Sequence, residues 1–207
     1  MPTIGLTGNF GMGKSTVLGF FNTCGAYTYS ADDIVHTILE KQAIIKKIAD
    51  VLGKDVVLSG SGKGPLNKTR VANIIFEDTQ KRYAVEKIIH PEVLKVMKRT
   101  ISDISHENPE AAIIFEVPLL FESGYDTYFN KTIVVYCNRD IAIKRLARKG
   151  FSKDDVIKRT GAQMAITKKK KLADYVINNN DTIEKTKMRV KSIYDKLTRH
   201  CLVKNPG

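Results

Sequence analysis

A glycine-rich segment near the start of the chain constrains the fold more than any other feature of the sequence. Residues 8–15 read GNFGMGKS and match the pattern G-x4-G-K-[ST], which arises by chance in a chain of this length only about once in a hundred cases. The segment follows a short apolar stretch and precedes a helical pattern that begins at Lys14. Its glycines let the backbone curl until successive N–H groups face one anionic centre at the positive end of a helix. The sequence therefore predicts a phosphate-binding loop between a buried strand and a helix.

The chemistry of this loop predicts that it binds a nucleoside triphosphate together with Mg²⁺. Lys14 is expected to reach the β- and γ-phosphates, and the Ser15 hydroxyl is expected to ligate Mg²⁺. Thr16 lies one residue further into the helix and is expected to contact the α-phosphate, whereas the side chains of Phe10 and Met12 are expected to pack. The predicted nucleotide-binding residues are Gly8, Gly11, Met12, Gly13, Lys14, Ser15 and Thr16.

The predicted strands and helices follow one another in the order of an α/β protein. Apolar or β-branched stretches predict five strands, at 3–7, 26–29, 112–117, 132–137 and 175–177. A helix at about 14–24 joins the first two strands, and this βαβ unit implies a parallel sheet with a right-handed crossover. We therefore predict a three-layer α/β sandwich of the phosphate-loop NTPase class, similar to nucleoside-monophosphate kinases.

Most of the remaining chain is helical in pattern. Between about 31 and 108, apolar residues recur at helical spacing, with a flexible turn LSGSGKGP at 58–65. Pro91 is expected in the first turn of a helix that runs to about residue 105. Further helices are predicted at 140–148, about 152–164 and about 183–200.

The composition of the chain excludes several classes of protein. Its 43% hydrophobic and 27% charged residues are typical of a folded globular protein. The longest apolar run, at 111–121, is far too short for a membrane helix, and the first residues lack a secretory pattern. Cys24, Cys137 and Cys201 are widely spaced and form no CxxC motif, so we expect reduced thiols in a cytoplasmic protein without membrane association. The net charge of +12 indicates either a polyanionic partner or simply solubility.

Other motifs separate the classes of phosphate-loop proteins. Regulatory GTPases need an NKxD motif, but Asn67-Lys68 and Asn130-Lys131 lack the Asp two residues further on. The chain is shorter than a transporter-type ATPase, and no strand ending in paired acids follows its LSGSG segment. An ATPase that binds nucleic acid would carry basic strands interleaved with aromatic residues, and the sequence has none. These comparisons favour a small-molecule kinase without a nucleic-acid partner.

Acidic residues lie at or just after the ends of predicted strands, where a kinase needs carboxylates. Asp32 comes just after the second strand and is a candidate to orient the acceptor hydroxyl and to accept its proton late in phosphoryl transfer. Capping of the next helix by Asp32 or Asp33 is an equally good interpretation. Glu116 ends an apolar strand and is a candidate to hold a Mg²⁺-bound water. Glu122 follows PLLF and is expected to contact the substrate or to cap a helix.

Basic residues between 139 and 171 are candidates for phosphate contacts, although solvated helix surface explains them equally well. Arg145 and Arg148 lie three residues apart and share a helix face. Arg159 and Gln163 are spaced similarly on the next predicted helix. A guanidinium group can bind phosphate oxygens through two parallel hydrogen bonds. The lysine run 168–171 is expected to be a solvated edge, or to steer polyphosphate substrates.

Taken together, these residues resemble the dephospho-coenzyme A kinase family over nearly the whole chain. The phosphate loop alone is generic, but VPLLFE after a strand, preceded by a His-Pro pair, is more specific. The segments that carry the resemblance are IGLTGNFGMGKST (4–16), SAD (30–32), IIF (74–76), EKIIHP (86–91), VPLLFE (117–122) and ADYVINNN (173–180). Another small-metabolite kinase or a nucleoside monophosphate kinase is the alternative.

The resemblance implies ATP-dependent phosphorylation of the ribose 3′-hydroxyl of dephospho-coenzyme A, the last step of coenzyme A synthesis. The implied catalytic residues are Asp32, Lys14, Arg148 and Arg145. The implied acceptor-binding residues are Asp32, His90, Pro118, Leu119 and Glu122, although His90 is as well explained by a capping or core role. The implied metal ligands are Ser15 and, through water, Glu116.

The resemblance also implies how one kinase domain at 1–207 is organised. Its core would comprise about 1–35, 108–138 and 172–207, with a helical acceptor-binding insert at about 36–107 and a lid at about 139–171. We expect a monomer or a weak homo-oligomer.

Four positions depart from the pattern of that family. Ser30 stands where the family has the first Asp of Asp-Ala-Asp, and a serine can hold a Mg²⁺-bound water but adds no charge. Metal binding would therefore depend more on Glu116. Asn67-Lys68 stands in place of an acid and an arginine, and Asn178 replaces an Asp in the last strand motif.

Overall fold

Five strands form a parallel sheet at the centre of the fold. The computed structural model describes residues 1–58, 64–152, 156, 159–161 and 163–202, of which 199–202 are described by their backbone alone. The strands are β1 (Thr3–Thr7), β2 (Tyr27–Ser30), β3 (Ile113–Glu116), β4 (Lys131–Tyr136) and β5 (Tyr175–Asn178). They lie in the order β2-β3-β1-β4-β5, and every neighbouring pair is parallel. The predicted strands and the parallel sheet are confirmed.

Helices flank this sheet and make up most of the rest of the described chain. They are α1 (Lys14–Thr23), α2 (Ala31–Ile38), α3 (Gln42–Leu52), α4 (Lys68–Glu77), α5 (Thr79–Glu107), α6 (Arg139–Arg148), α7 (Ile166–Leu172) and α8 (Ile183–Leu202). Short 3-10 turns occur at Lys54–Val56 and Tyr125–Tyr128. None of the helices in the described part of the chain is long and apolar enough to cross a membrane.

The apolar core explains why β1 lies in the middle of the sheet. All five residues of β1 are buried, as expected of a strand that is covered on both faces. Alternate residues of the central strands pack against α1 and α8. The buried cluster on that face consists of Ile4, Leu6, Val17, Phe21, Ala26, Ala112, Ile114, Ile133, Val135, Ile177, Val190, Ile193 and Leu197. This core holds the carboxyl ends of β1 and β3 in fixed register.

The chain divides into two compact units, which comprise Met1–Ser30 with Asp103–Gly207 and Ala31–Ser102. The first unit contains the sheet. The second unit contains α2, α3, α4 and most of α5, together with a bridge between Val57 and Leu66. The buried residues of α3 recur at the helical spacing seen in the sequence, and they are Ile44, Ile45, Ile48 and Leu52.

One helix boundary differs from the prediction. Pro91 lies inside the continuous 29-residue helix α5 rather than in its first turn, so the predicted helix start at Pro91 is wrong. A proline within a helix leaves one carbonyl of the preceding turn without its usual N–H donor. The regular helical pattern on both sides of Pro91 outweighs this local cost. Two other predictions fall partly outside the described residues: the turn at 58–65, of which 59–63 are not described, and the helix at about 152–164, of which 153–155, 157, 158 and 162 are not described.

Candidate active site

The phosphate loop connects β1 to α1 and requires glycine at specific positions. Gly11 and Gly13 have φ angles of +79° and +89°, in the region that side chains with a Cβ rarely adopt. A Cβ on Gly11 would lie 2.7 Å from a methyl carbon of Leu146, and a Cβ on Gly13 would overlap the side-chain amide of Asn179. A Cβ on Gly8 would overlap the carbonyl of Val135. The loop is therefore packed closely from behind by β4, α6 and the residue that follows β5.

The start of α1 presents the features of an anion site. Ser15 and Thr16 are exposed in the first turn, and that turn contains no acidic residue to offset the positive end of the helix. Met12 is buried and packs against Cys137 and Ala142, as expected for its side chain. Its N–H donates to the carbonyl of Asn9 at 3.2 Å. The structure thus brings the predicted nucleotide-binding residues together at one helix N-terminus.

Lys14 and Glu116 meet at the carboxyl edge of the sheet. Their Nζ and Oε1 atoms are 3.8 Å apart, and the two side chains are only 11% and 12% exposed. Glu116 is the last residue of β3 and lies opposite Leu6 of β1 and Ser30 of β2 in the sheet register. A lysine and a carboxylate that are mostly withdrawn from water stabilise each other's charge. The acid at the end of this apolar strand therefore has a cationic partner, and its role toward a Mg²⁺-bound water stays a prediction.

Asp32 and His90 belong to the second unit. Asp32 is exposed in the first turn of α2, two residues beyond the end of β2, and Asp33 lies beside it in the same turn. Acidic residues at this position stabilise a helix through its dipole. His90 is half-buried within α5. The roles of Asp32 and His90 toward a substrate stay predictions.

The two arginines of α6 have different surroundings. Arg148 is exposed in the last turn of the helix, whereas Arg145 is half-buried. The Nη2 atom of Arg145 donates to the backbone carbonyl of Asn179 at 3.0 Å. Burial raises the pKa of the Cys137 thiol, and the positive charge of Arg145 beside it partly offsets that rise. Arg145 is therefore held behind the phosphate loop, while Arg148 is open to solvent.

Asn179 braces the loop and was not identified from the sequence. Its Nδ2 donates to the carbonyl of Met12 at 2.9 Å, and its Oδ1 accepts from the Thr186 hydroxyl at 3.1 Å. Its side chain lies directly behind Gly13. The run of three asparagines at 178–180 gives no sign of which member turns toward the loop.

Glu122, at the end of the segment 118–122, forms an ion pair with Lys169 that is largely buried. Lys169 Nζ lies 2.9 Å from Glu122 Oε1 and donates to the carbonyl of Pro118 at 3.0 Å. Lys169 is fully buried, so the prediction that the run 168–171 is a solvated edge is wrong for this residue. Burial lowers the pKa of Lys169, and the hydrogen bond to Glu122 acts in the opposite direction. Leu119, which lies between Pro118 and Glu122 in the sequence, is 40% exposed.

The sequence offers no local signal for this pair. Lys169 is one of four consecutive lysines, and α7 is too short to set up an amphipathic pattern. Glu122 was predicted as a substrate contact or a helix cap. In the structure its Oε1 also accepts the backbone N–H of Met164 at 2.8 Å.

The tip of the loop contacts residues of the predicted lid region. The ring of Phe10 packs edge-on against Phe151, with their centroids 5.1 Å apart. The guanidinium of Arg159 lies over both rings, at 5.1 Å and 5.3 Å. The N–H of Phe10 donates to Oε1 of Gln163 at 2.9 Å. Arg159 thus stacks on aromatic rings, and its role as a phosphate contact stays a prediction.

The side chains near the loop that could bind a metal ion are few, and they offer oxygen ligands. No group of three or more His, Cys, Asp or Glu side chains within the described residues is arranged to hold a metal ion. The available donors are the exposed Ser15 hydroxyl and the Glu116 carboxylate. Mg²⁺ keeps several waters and takes few protein ligands when phosphates supply the others, so this donor set fits Mg²⁺.

Comparison with known proteins places this geometry in a family. The family model described as dephospho-CoA kinase matches residues 2–185. A dephospho-CoA kinase from Aquifex aeolicus is 35% identical over 200 residues, which cover 96% of this chain and 99% of that protein. A solved structure from Thermus thermophilus is 30% identical with a TM-score of 0.82, covering 95% of this chain and 98% of that one.

A solved dephospho-CoA kinase from Campylobacter jejuni shares the fold as well. It is 25% identical with a TM-score of 0.71, covering 96% of this chain and 98% of that chain. The similarity therefore extends over both units and over the segments that the sequence analysis singled out. The chain belongs to the dephospho-CoA kinase family.

Proposed function

We propose that this protein transfers the γ-phosphoryl group of ATP to the ribose 3′-hydroxyl of dephospho-coenzyme A, giving coenzyme A and ADP. The observation that carries this proposal is the pairing of Lys14 with Glu116 beside a phosphate loop, in a chain that matches the family along nearly its full length. Phosphoryl transfer depends mainly on positioning and on stabilising the charge that spreads over the transferred group. The loop would position the triphosphate and would stabilise this charge.

The loop residues would bind and orient the triphosphate. The backbone N–H groups at the start of α1 and its helix dipole attract phosphate oxygens. Lys14 would contact the β- and γ-phosphates, because its ammonium group lies at the start of α1, where the loop N–H groups would hold them. Ser15 and Thr16 have exposed hydroxyls at the same helix end and can contact the nucleotide.

The same groups are suited to hold Mg²⁺. Ser15 would ligate the ion through its hydroxyl, and Glu116 would hold one of its waters. When bound, Mg²⁺ supplies positive charge that neutralises the phosphate oxygens. The serine at position 30 lies opposite Glu116 in the sheet and adds a hydroxyl but no charge at this edge.

The acceptor side of the reaction rests on Asp32 and on neighbouring segments. Asp32 would orient the 3′-hydroxyl and accept its proton as the bond to phosphorus forms. We assign His90, Pro118 and Leu119 to acceptor binding, with Leu119 offering an exposed apolar side chain. The acceptor-binding insert, at about 36–107, would then correspond largely to the second unit, Ala31–Ser102.

Two arginines would complete the phosphate contacts. Arg148 is exposed at the end of α6 and can approach a nucleotide, while Arg145 sits behind the loop. We further propose that the enzyme works in the cytoplasm as a monomer or weak homo-oligomer and does not require nucleic acid. Cys24 and Cys137 carry free thiols, which suits a reducing compartment.

A panel of acceptors tests this function. ADP release is measured with dephospho-coenzyme A, with nucleoside monophosphates, with shikimate and with no acceptor, for the parent protein and for Lys14→Ala. We expect fast release only with dephospho-coenzyme A, and loss of both ATP binding and rate in the variant. Fastest release with a nucleoside monophosphate would favour the alternative kinase class, and equal release without an acceptor would indicate an ATPase.

A further inference from the structure

Lys169 is fully buried, and stability alone does not explain why a lysine occupies this position. Lys169 has no exposed side-chain surface, and its Nζ contacts Glu122 Oε1 at 2.9 Å and the Pro118 carbonyl at 3.0 Å. Removing an ammonium group from water is costly, and a well-packed apolar pair of similar volume often stabilises a protein as well or better. The contacts that this pair makes with its surroundings indicate what it does instead.

Glu122 connects the ion pair to the return segment of the predicted lid. Besides Lys169, its Oε1 accepts the N–H of Met164 at 2.8 Å. The carbonyl of Met164 in turn accepts from the side-chain amide of Asn9 in the phosphate loop at 3.1 Å. The N–H and the carbonyl of Met164 thus link Glu122 to the loop through one intervening residue.

The preceding residue makes a second connection to the same loop. Gln163 Oε1 accepts the N–H of Phe10 at 2.9 Å. Residues 163 and 164 are therefore fastened to two successive loop residues on one side and to Glu122 on the other. Phe10 is fixed further by its contacts with Phe151 and Arg159.

Lys169 connects to the loop by a separate route. The carbonyl of Pro118 that accepts from Lys169 also accepts from the hydroxyl of Thr7 at 3.1 Å. Thr7 is the last residue of β1 and directly precedes the phosphate loop. The ion pair is thus tied to both ends of the segment 7–10 and to the first residue of PLLFE.

We propose that Glu122 and Lys169 are positioning residues for phosphoryl transfer, which hold residues 163–164 and the segment 118–122 in fixed register with the phosphate loop. This inference rests on the proposed function and deepens it. Glu122 then acts through Met164 and Lys169 rather than by touching the acceptor. A fixed register keeps the acceptor hydroxyl aligned with the γ-phosphoryl group and keeps water out of the site.

Charge-removing variants of the pair test this role. Glu122→Gln keeps an oxygen for the Met164 N–H but leaves Lys169 without a counter-charge, and Lys169→Met removes the ammonium while keeping most of the volume. The double variant removes both charges. Lys131→Met is the matched control, because Lys131 forms a 2.8 Å ion pair with Asp174 that is partly exposed. This pair lies at the amino ends of β4 and β5, whereas the phosphate loop follows the carboxyl end of β1.

Two measurements separate positioning from stability. The first is the ratio of ADP released to coenzyme A formed, together with kcat and the KM for each substrate, and the second is thermal unfolding. We expect each single variant to lower kcat roughly 10- to 100-fold and to release ADP in excess of product, because water reaches the γ-phosphoryl group. The double variant is expected to recover part of kcat, and Lys131→Met to keep the parental ratio.

The proposal is overturned if the single variants lose only thermal stability and keep the parental kcat and one ADP per product. A variant that fails to fold is replaced by Gln163→Ala, which breaks the contact with the Phe10 N–H and leaves the Glu122–Lys169 pair in place. Excess ADP release in that variant supports the proposal, and an unchanged ratio contradicts it. If the parent protein itself forms no phosphorylated product, the proposed function fails and the positioning role fails with it.

Discussion

At the scale of single residues, Gly13 of the phosphate loop is constrained both by its backbone angle and by a neighbouring side chain. Its φ angle of +89° is strained for a residue with a Cβ, and that Cβ would overlap the Asn179 amide. Gly124 has a comparable φ of +67°, but a Cβ there meets nothing within 4 Å. An alanine at either position would strain the backbone, but only an alanine at Gly13 would also collide with a neighbouring side chain.

We predict that Gly13→Ala abolishes saturable ATP binding, because Asn179 must leave the Met12 carbonyl to make room. Gly124→Ala should cost only about 1–2 kcal/mol of strain and keep the parental affinity. Calorimetric titration with ATP, alongside thermal unfolding of both variants, measures the difference. Parental ATP binding by Gly13→Ala would show that the brace between Asn179 and the loop is dispensable.

Asp32 and Asp33 are adjacent acids in one helical turn, so they form a natural comparison. Both stabilise the first turn of α2, but only Asp32 is proposed to accept the proton of the acceptor hydroxyl. We expect Asp32→Asn to lower kcat roughly 100- to 10,000-fold with little change in the KM for ATP, and Asp33→Asn to change kcat little. Equal effects in steady-state kinetics would assign both acids to helix stability.

At the scale of secondary-structure elements, Asp174 joins the starts of β4 and β5. Its carboxylate accepts from Lys131 Nζ at 2.8 Å, from the Thr132 N–H at 2.8 Å and from the Thr132 hydroxyl at 2.9 Å. Burial raises the pKa of Asp174, but these hydrogen bonds outweigh burial and hold its pKa below the usual value. The ionised carboxylate is therefore worth more to the folded state than to the unfolded chain.

The lowered pKa of Asp174 determines how the stability of the protein changes with pH. A carboxyl group whose pKa is lowered on folding stabilises the protein above its unfolded pKa of about 4, and this stabilisation is lost as pH falls through the lower folded pKa. We predict that Asp174→Asn lowers the free energy of unfolding at about pH 7 and that the gap to the parent narrows toward about pH 3. Urea denaturation at both pH values measures the gap, and a gap of equal size at both would contradict the assignment.

At the scale of the whole molecule, the sheet and the loop could be predicted because their causes are local in the sequence. Continuous apolar runs mark buried parallel strands, and a glycine loop before Lys14 marks a phosphate-binding turn. A partner for Glu116 could be expected from the sequence, because a carboxylate in an apolar strand needs one. That Lys14 is this partner depends on the parallel register of β1 and β3.

The remaining features arise from contacts between distant parts of the chain. Lys169 and Glu122 are 47 residues apart in sequence, and nothing in a run of lysines marks the one that turns inward. Asn179 reaches Met12 across 167 residues. The Pro91 boundary was mispredicted because the strong helical pattern around it overrides the preference of proline for a first turn.

The location of the transferred phosphoryl group tests the central claim most directly. The parent protein is incubated with ATP that carries an isotopic label on its γ-phosphorus, together with dephospho-coenzyme A, and the products are separated and identified. We predict that the label moves to the ribose 3′-oxygen of coenzyme A and that little is released as inorganic phosphate. Label found only in inorganic phosphate, or at another position of the acceptor, would contradict the account.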